Sequence, residues 1–431
     1  MAFKSFLYNI FKKSRPAKFK KIPHDKHSIT LKMLDSDAVK VINRLIQHGF
    51  EAYLVGGCVR DMLTGKPCKD FDVVTNALPG KIKKIFINCL LVGRRFRLAH
   101  IRFKKRKIIE VSTFRRGNIF FNEKDPLIKD DNTYGNVYED VFRRDLTINA
   151  LLLDTHDLSL HDYVGGFYDI ENKIVRVIGD PQVRFREDPL RILRCIRFAG
   201  KLNFRIEQQT SEAIFKHRNE IWKPALPRIL EELHRILRSG GAERSLRLLQ
   251  EYGIFEQMMP ELHAILTEPE ENVKFMELLK ILDKKISGNK IFSDSFLYAL
   301  INCIFIKELL PDKKSGYRIF THKALSSFFN RFQISKRNRH SALQILVALP
   351  RLANFGKAGV RPRSLIHQVY FHEAIKLFGM LSEVQIVEKS IYKSWQKLSF
   401  SFLKETKSIG YGGQKDLLEE NSKVIKRRML F

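Results

Sequence analysis

The sequence predicts an α+β fold, with a small α/β head followed by an all-helical remainder. Three observations carry this. Between residues 50 and 155, short apolar runs bounded by Gly, Asn and Asp alternate with brief helical stretches. From Asp188 onward, apolar residues recur at helical spacing almost to the last residue. No fixed-period repeat overlies either pattern.

Taken in order, the segment Met1 to Lys21 holds Lys4, Lys12, Lys13, Arg15, Lys18, Lys20 and Lys21 and no acid. It lacks a signal-peptide core, and residues 1–30 read as a basic arm that touches RNA nonspecifically. Residues 31–48 form an amphipathic helix through Leu34, Val39, Val41, Ile42, Leu45 and Ile46, stopped by Gly49. Strands are expected over 51–55, 70–75, 90–92, 98–103, 107–114 and 150–154, with helices over 57–63 and 78–87. The stretch 117–138 is rich in Asn and Asp and reads as a loop. Helices follow over 190–201, 207–218, 226–239 and 242–252. The expected division is a basic arm over 1–30, a head over 31–155, a neck over 156–220, and a helical body and tail over 221–431.

Charge narrows the function. Lys and Arg number 77 against 47 Asp and Glu, a formal net charge of +30. Such an excess self-repels and favours a polyanionic partner, nucleic acid first and an anionic membrane surface second. The five cysteines, Cys58, Cys68, Cys89, Cys195 and Cys303, are odd in number and widely spaced, without a Cys-x-x-Cys. That argues against a zinc site or disulfide framework and for a reducing, cytoplasmic compartment. No membrane span is expected, because apolar runs such as 296–306 are short and broken by Asn302.

The chemistry concentrates in Tyr53-Leu-Val-Gly-Gly-Cys-Val-Arg-Asp61 and Lys69-Asp-Phe-Asp-Val73. Asp70 and Asp72 lie two apart in a predicted strand and so share a face. Two such carboxylates repel unless a cation lies between them, and Mg²⁺ prefers oxygen ligands. Glu110, an acid in the apolar run Ile108 to Val111, is the natural third carboxylate. Gly56 and Gly57 before a helix start let the backbone approach phosphates. The pattern suits a metal-dependent enzyme acting on a nucleoside triphosphate, with one ion activating a hydroxyl and a second neutralising the leaving pyrophosphate.

These residues resemble the head signature of the class II template-independent nucleotidyltransferases, the superfamily of bacterial poly(A) polymerases and tRNA CCA-adding enzymes. Gly56-Gly57-x-x-Arg60-Asp61 and Asp70-x-Asp72 begin the resemblance, which runs to about residue 205. Arg143-Arg144-Asp145-Leu-Thr-Ile-Asn149 is similar to the family's sugar-recognition segment. Asp162-Tyr-Val-Gly165-Gly166 is similar to its hinge motif. Glu187-Asp188-Pro-Leu-Arg191-Ile-Leu-Arg194 is similar to its base-reading helix.

The resemblance implies a nucleotidyltransferase-type head with about five strands in a mixed sheet, then helical neck, body and tail. It implies template-independent transfer of a nucleotide to an RNA 3′-hydroxyl. Asp70 and Asp72 would hold Mg²⁺, or Mn²⁺ in its place, with Glu110 at the hydroxyl-activating site. Gly56, Gly57, Arg60, Asp61, Arg143, Asp145, Asn149, Glu187, Asp188, Arg191 and Arg194 would bind ATP.

In the base-reading segment, a carboxylate accepts and a guanidinium donates. Asp188 and Arg191 therefore suit adenine and cytosine and reject guanine and uracil, which leaves A addition and CCA addition open. Leu91-Val-Gly-Arg-Arg-Phe-Arg-Leu-Ala-His100 and Asp131-Asn-Thr-Tyr-Gly-Asn136 resemble the poly(A) polymerase forms. Arg94, Arg95 and Arg97, with Lys336, Arg337 and Arg339 in the body, are candidate RNA-backbone contacts. His100 reads as a packed strand histidine without a chemical role.

The expected activity is a polynucleotide adenylyltransferase that uses ATP on RNA 3′ ends, with RNA-decay proteins as candidate partners. The rivals are a CCA-adding enzyme and a noncatalytic RNA-binding protein on an inactive scaffold. A Rossmann-type dinucleotide enzyme is disfavoured by the absence of Gly-x-Gly-x-x-Gly spacing at Gly56-Gly57.

Overall fold

The computed structural model describes residues 19–68, 70–93, 97–104, 107–116, 134–305, 325–356 and 362–408. It divides into two compact units, 1–217 and 218–431.

The first unit is built on one mixed sheet. Its strands are β1 (Lys20–Ile22), β2 (Ala52–Val55), β3 (Asp72–Thr75), β4 (Cys89–Val92), β5 (Leu98–Arg102), β6 (Ile108–Thr113), β7 (Leu152–Leu153) and β8 (Leu160–Asp162), in the order β1-β8-β7-β2-β3-β6-β5-β4. Eight strands replace the expected five or so. The strands added to those read from sequence are β1 and β8, which pair antiparallel through Lys20↔Asp162 and Ile22↔Leu160. Part of the basic arm is thus a sheet edge, and the sheet continues past residue 155. Within this sheet, among the described residues, only β3 and β6 pair in parallel.

Helix α1 (Ser36–Gln47) buries Ala38, Val41, Ile42 and Leu45. It packs on β2, β3 and β6, while α3 (Pro79–Ile85) covers β4 and β5. Burial of each of the larger apolar side chains contributes about 1.5–3 kcal/mol. The helix begins at 36 rather than 31 because Asp35 caps it, accepting from the Asp37 and Ala38 N–H groups at 2.9 and 3.1 Å. Lys107 then donates to Asp35 at 2.5 Å and to Asp37 at 3.0 Å, fastening the start of β6 to this helix.

Helix α2 (Gly57–Leu63) follows β2 directly. The predicted loop ends early. Asn136 and Glu139 form a reciprocal capping box, so α4 (Val137–Arg143) already contains Tyr138. Residues 117–133 lie outside the described residues. The opposite face of the sheet is covered at one end, where Val55, Val74, Phe114, Val141, Ala150, Leu152 and Ile178 form one buried cluster.

The neck is not wholly helical. Between α5 (Gly166–Glu171), α6 (Pro181–Glu187), α7 (Leu190–Leu202) and α8 (Gln208–His217) lies a short parallel pair, β9 (Ile174–Val175) with β10 (Arg205–Ile206). The second unit is helical throughout its described residues. Its interior includes Phe296, Phe328, Phe329, Phe332 and Tyr298. The Tyr298 hydroxyl and His234 Nε2 lie 2.8 Å apart. No described helix is long and apolar enough to cross a membrane.

Candidate active site

Strand register assembles the core of the site. Asp72 pairs with Glu110 across the parallel β3–β6 ladder, and Glu110 pairs with His100 across β6–β5. These three residues therefore form one row on the face of the sheet away from α1 and α3. Their neighbours Val73, Val111 and Ala99 are fully buried on the other face. His100 Nε2 lies 3.4 Å from Glu110 Oε1, a contact absent from the sequence reading.

Burial pushes the Asp72 carboxyl up to about 6, reinforced by Glu110 and, more weakly, by Asp70; Arg144 pulls against them. Asp70 differs from expectation. β3 begins at Asp72, so Asp70 precedes the strand and is exposed. Among the described residues, no three acid, His or Cys side chains stand close enough to form a ready-made metal cluster. The donor chemistry nonetheless fits a divalent cation: hard oxygen ligands, two in register, and one carboxyl disfavoured as an anion by burial first and by its acidic neighbours second.

Beside this row stands a second charge system. Asp140 is fully buried and holds two guanidinium groups. Arg143 donates to its Oδ1 at 2.9 and 2.6 Å, and Arg144 to its Oδ2 at 3.2 and 2.8 Å. Burial opposes ionisation of Asp140, but the two arginines prevail and hold its carboxyl below the usual range. Arg144 is thereby aimed at the glycine turn. Gly56 has φ 79° and ψ −128°, a region open to glycine alone. A Cβ there would lie 3.8 Å from Arg144 Nη1. Arg144 entered the sequence reading only inside the sugar-recognition segment, without a role of its own, and Asp140 did not enter it. The signal that could have found them is the Arg143-Arg144 doublet, three and four residues after an acid on one helix.

The structure gives several predicted ATP ligands partners within the protein. Arg60 is 4 % exposed. It donates to Asp61 Oδ1 at 2.9 and 2.7 Å and to Asn149 Oδ1 at 2.5 Å. Its guanidinium also lies 4.7 Å from the Phe198 ring centre, with Arg197 at 4.2 Å from the same ring. Asn149 Nδ2 donates to Asp145 Oδ1 at 3.4 Å, and Arg194 Nη1 lies 3.5 Å from Asp145 Oδ2. Asp61, Arg60, Asn149, Asp145 and Arg194 thus form one continuous chain of polar contacts. Gly57 opens α2, its Cβ position 3.6 Å from Arg60 Nη2.

The predicted base-reading pair is arranged differently. Asp188 stands between α6 and α7, and its Oδ1 accepts from the Leu190 N–H at 3.3 Å. Arg191 Nη1 instead meets Glu187 Oε2 and the Arg184 carbonyl, both at 2.8 Å. Arg184 Nη2 donates to the carbonyls of Arg143 and Arg144 at 2.8 and 2.7 Å, tying α6 to the arginine pair.

The hinge-like motif is fastened. Asp162 accepts four backbone N–H groups, from Val164, Gly165, Gly166 and Phe167, at 2.8 to 3.0 Å. Arg97 is exposed just before β5, while Arg94 and Arg95 lie outside the described residues. In the second unit Lys336 and Arg337 are exposed at the start of a helix, Lys336–Ala353. Arg339 donates to Ser326 at 3.0 Å and Asn330 at 3.3 Å, and its guanidinium stands 5.6 Å from the Phe329 ring centre.

Comparison with known proteins accords with this geometry. Residues 52–176 match the family described as the poly A polymerase head domain. Residues 203–266 match the one described as a probable RNA and SrmB-binding site of polymerase A. Poly(A) polymerase I of Salmonella typhi is 41% identical over 290 residues, 64% of this chain and 62% of that protein. The match thus spans somewhat less than two thirds of that relative. Poly(A) polymerase I of Haemophilus influenzae is 34% identical over 383 residues, 85% of this chain and 84% of that protein. A CCA-adding enzyme of Staphylococcus aureus is 35% identical over 231 residues, 53% of this chain and 56% of that protein. The crystal structure of the Bacillus stearothermophilus CCA-adding enzyme in complex with CTP shares the fold, with a TM-score of 0.61 at 24% identity over 85% of this chain and 82% of that one. The chain belongs to the family of bacterial poly(A) polymerases and tRNA nucleotidyltransferases.

Proposed function

We propose that this protein is a polynucleotide adenylyltransferase that adds AMP from ATP to RNA 3′ ends and releases pyrophosphate. The observation that carries the reading is the in-register pair Asp72 and Glu110 beside the Gly56 turn and Arg144. Such a site serves phosphoryl chemistry, where positioning and electrostatics do most of the catalysis. The choice of A tailing over CCA addition is supported by similarity to a poly(A) polymerase along most of the chain, against about half for the CCA-adding relative.

In this reading the RNA 3′-oxygen bonds to the α-phosphorus of ATP, and the bond from that phosphorus to the bridging oxygen breaks. Glu110 stands at the hydroxyl, Asp70 and Asp72 hold the cation, and Arg144 with the backbone at Gly56 and Gly57 faces the triphosphate. When bound, Mg²⁺ would lower the hydroxyl pKa and neutralise phosphate charge. Arg60, Asn149 and Asp145 brace the sugar side, with Asp61 and Arg194 at the ends of the same contact chain. Asp188 and Arg191 meet the base edge, with Glu187 orienting Arg191. Lys336 and Arg337 contact RNA backbone. The odd number and wide spacing of the five cysteines support a reducing, cytoplasmic setting.

The test is extension of two primers, a generic single-stranded RNA and a tRNA lacking its 3′ end, with Mg²⁺ and either ATP alone or CTP plus ATP. Long A tails on both from ATP alone are expected. Three-nucleotide growth confined to the tRNA and requiring CTP would make it a CCA-adding enzyme. No incorporation under any condition would leave a binding protein on an inactive scaffold.

A further inference from the structure

Beside the carboxylates lies a pair of side chains that the transfer chemistry does not use, the thiols of Cys58 and Cys68. Both are free, and their sulfurs stand in hydrogen-bonding contact with each other.

Local structure explains why residues ten positions apart meet. Cys58 is the second residue of α2. Past the end of that helix Gly65 takes φ 67°, the left-handed conformation that terminates helices. The Gly65 N–H donates to the Met62 carbonyl at 3.1 Å and the Lys66 N–H to the Asp61 carbonyl at 2.8 Å. Lys66 Nζ donates to the Lys201 carbonyl at 2.8 Å, which pins the reversal against α7. The chain therefore folds back along α2 and returns Cys68 to the start of the helix.

The meeting point adjoins the acids. Cys58 Sγ donates to the Val55 carbonyl at 3.3 Å, and Cys68 Sγ to the Asp70 carbonyl at 3.2 Å. Val55 pairs with Asp72 across β2–β3, so both sulfurs sit at the end of the ladder that carries the carboxylates. The Asp72 backbone also hydrogen-bonds the Cys58 sulfur. Exposure divides the two roles. Cys58 is 1% exposed, whereas Cys68 is half-buried. An oxidant in solution reaches Cys68 first, and Cys58 is the thiol placed to resolve the product.

We propose that Cys58 and Cys68 form a reversible disulfide, with a hydroperoxide as oxidant, that displaces Asp70 and so halts nucleotide transfer. The Cys68 sulfur attacks one oxygen of hydrogen peroxide and the O–O bond breaks. Sulfur is oxidised to the sulfenic acid, and the other oxygen leaves as water. The Cys58 sulfur then attacks the Cys68 sulfur, the S–O bond breaks, and the hydroxyl departs as water with the Cys58 proton. Two thiols and one peroxide thus give one disulfide and two waters. A dithiol reductant reverses the step by exchange and is itself oxidised to a disulfide.

The disulfide consumes both S–H donors, so the Val55 and Asp70 carbonyls lose them. It also draws the sulfurs from hydrogen-bonding to covalent distance, tethering the link that carries Asp70 to the first turn of α2. Asp70 moves relative to Asp72, and the cation loses a ligand. This consequence rests on the cation-holding role given to the two aspartates above. A transient disulfide of this kind is compatible with a reducing compartment.

The test uses the full chain, reduced, treated with hydrogen peroxide and quenched by an alkylating reagent. Peptide mass spectrometry reads the linkage, Mn²⁺ titration followed by electron paramagnetic resonance reads cation affinity, and primer extension reads activity. A Cys58–Cys68 link within one chain is expected, with weaker Mn²⁺ binding and incorporation lower by about tenfold or more. Dithiothreitol should restore both. Cys68→Ser and Cys58→Ala, each measured against its own untreated activity, should resist peroxide; Cys68→Ser carries this arm if the buried substitution fails to fold. Absence of the linked peptide, a link between two chains, or a Cys68→Ser variant as sensitive as wild type would overturn the proposal. A reduced protein that adds no nucleotide, yet crosslinks and loses Mn²⁺ affinity, would sink the tailing reading and leave the switch standing. Undiminished tailing by the fully crosslinked protein would sink the switch alone.

Discussion

Replacing Asp140 by Asn isolates the contribution of a buried charge to the orientation of Arg144. Asp140 is fully buried and accepts from Arg143, Arg144 and the Arg115 N–H, the last at 3.1 Å. An amide keeps one acceptor oxygen and turns an NH₂ group toward the other guanidinium, so donors face donors. Losing two charge-assisted bonds costs about 3 kcal/mol or more in a dry interior. The Arg143 and Arg144 side chains are 29 and 18% exposed, so water recovers part of this. The expected destabilisation is about 2 kcal/mol, read as a lower Tm. Because Arg144 stands beside Gly56 and Asp72, kcat/KM for ATP should fall about 10- to 100-fold, or roughly 1.4–2.8 kcal/mol. The assay is ATP incorporation at saturating primer, below the Tm of the variant. The pH sign provides a second check. Asp140 has a depressed carboxyl, so its stabilisation is present above the unfolded value of about 3.9 and is lost as pH falls through the folded one. The Asn variant should therefore differ from wild type at pH 7 and converge toward it under acid. A lowered Tm with kcat/KM for ATP within twofold of wild type would refute the orienting role.

Asp72→Ala should abolish nucleotide incorporation while leaving the Tm within a few degrees of wild type, because it relieves an unfavourably placed carboxyl; normal turnover would sink the metal assignment. Gly166→Ala should lower the Tm steeply, since a Cβ there would come within 2.3 Å of the Thr147 carbonyl oxygen, and a folded variant with wild-type Tm would show that the 147–149 turn can move. Glu261, paired with Arg331 at 2.9 and 2.5 Å, is also depressed: burial works against it, but the Arg331 and Ser327 hydrogen bonds bring it to about 2. Its stabilisation is present above the unfolded value near 4.5 and fades between there and pH 2, so Arg331→Met should cost about 1 kcal/mol at pH 7 and little at pH 2, measured by denaturant titration at both.

Legibility from sequence tracked how local each feature was. Helix Gly57–Leu63 was readable outright, because its glycine start and apolar spacing lie within a few residues. The Asp72–Glu110 pair was readable as two acids in apolar runs, although their register was not. Strands β1 and β8 were missed because neither is an apolar run. Lys20 and Lys21 look like a charged tail until Leu160 to Asp162, far along the chain, supplies the partner edge. The same limit applies to Arg60. Its motif marks it as important, but its burial depends on Asn149 and Phe198. The motif presented Asp188 and Arg191 as one base-reading pair. Four-residue spacing gives Arg191 to Glu187 instead, while Asp188 turns to the Leu190 N–H.

The chain Asp61–Arg60–Asn149–Asp145–Arg194 changes how the family motifs should be read. Each member belongs to a motif whose residues sequence comparison would place on the nucleotide, yet in this structure they bind one another. A guanidinium that is 4 % exposed, held by Asp61 and Asn149 and stacked near Phe198, can meet a phosphate only by giving up those partners. Leaving a buried arginine partly unpaired is costly, so the economical role for Arg60 is to hold α2 against the 147–149 turn and α7. Arg144 has one guanidinium edge anchored on Asp140 and Nη1 turned to the glycine turn, the geometry of a group that binds an anion without losing its support. Loss of activity on removing Arg60 would therefore not identify a phosphate ligand. The discriminating quantity is whether ATP affinity falls with stability, as a brace requires, or without it, as a direct contact requires.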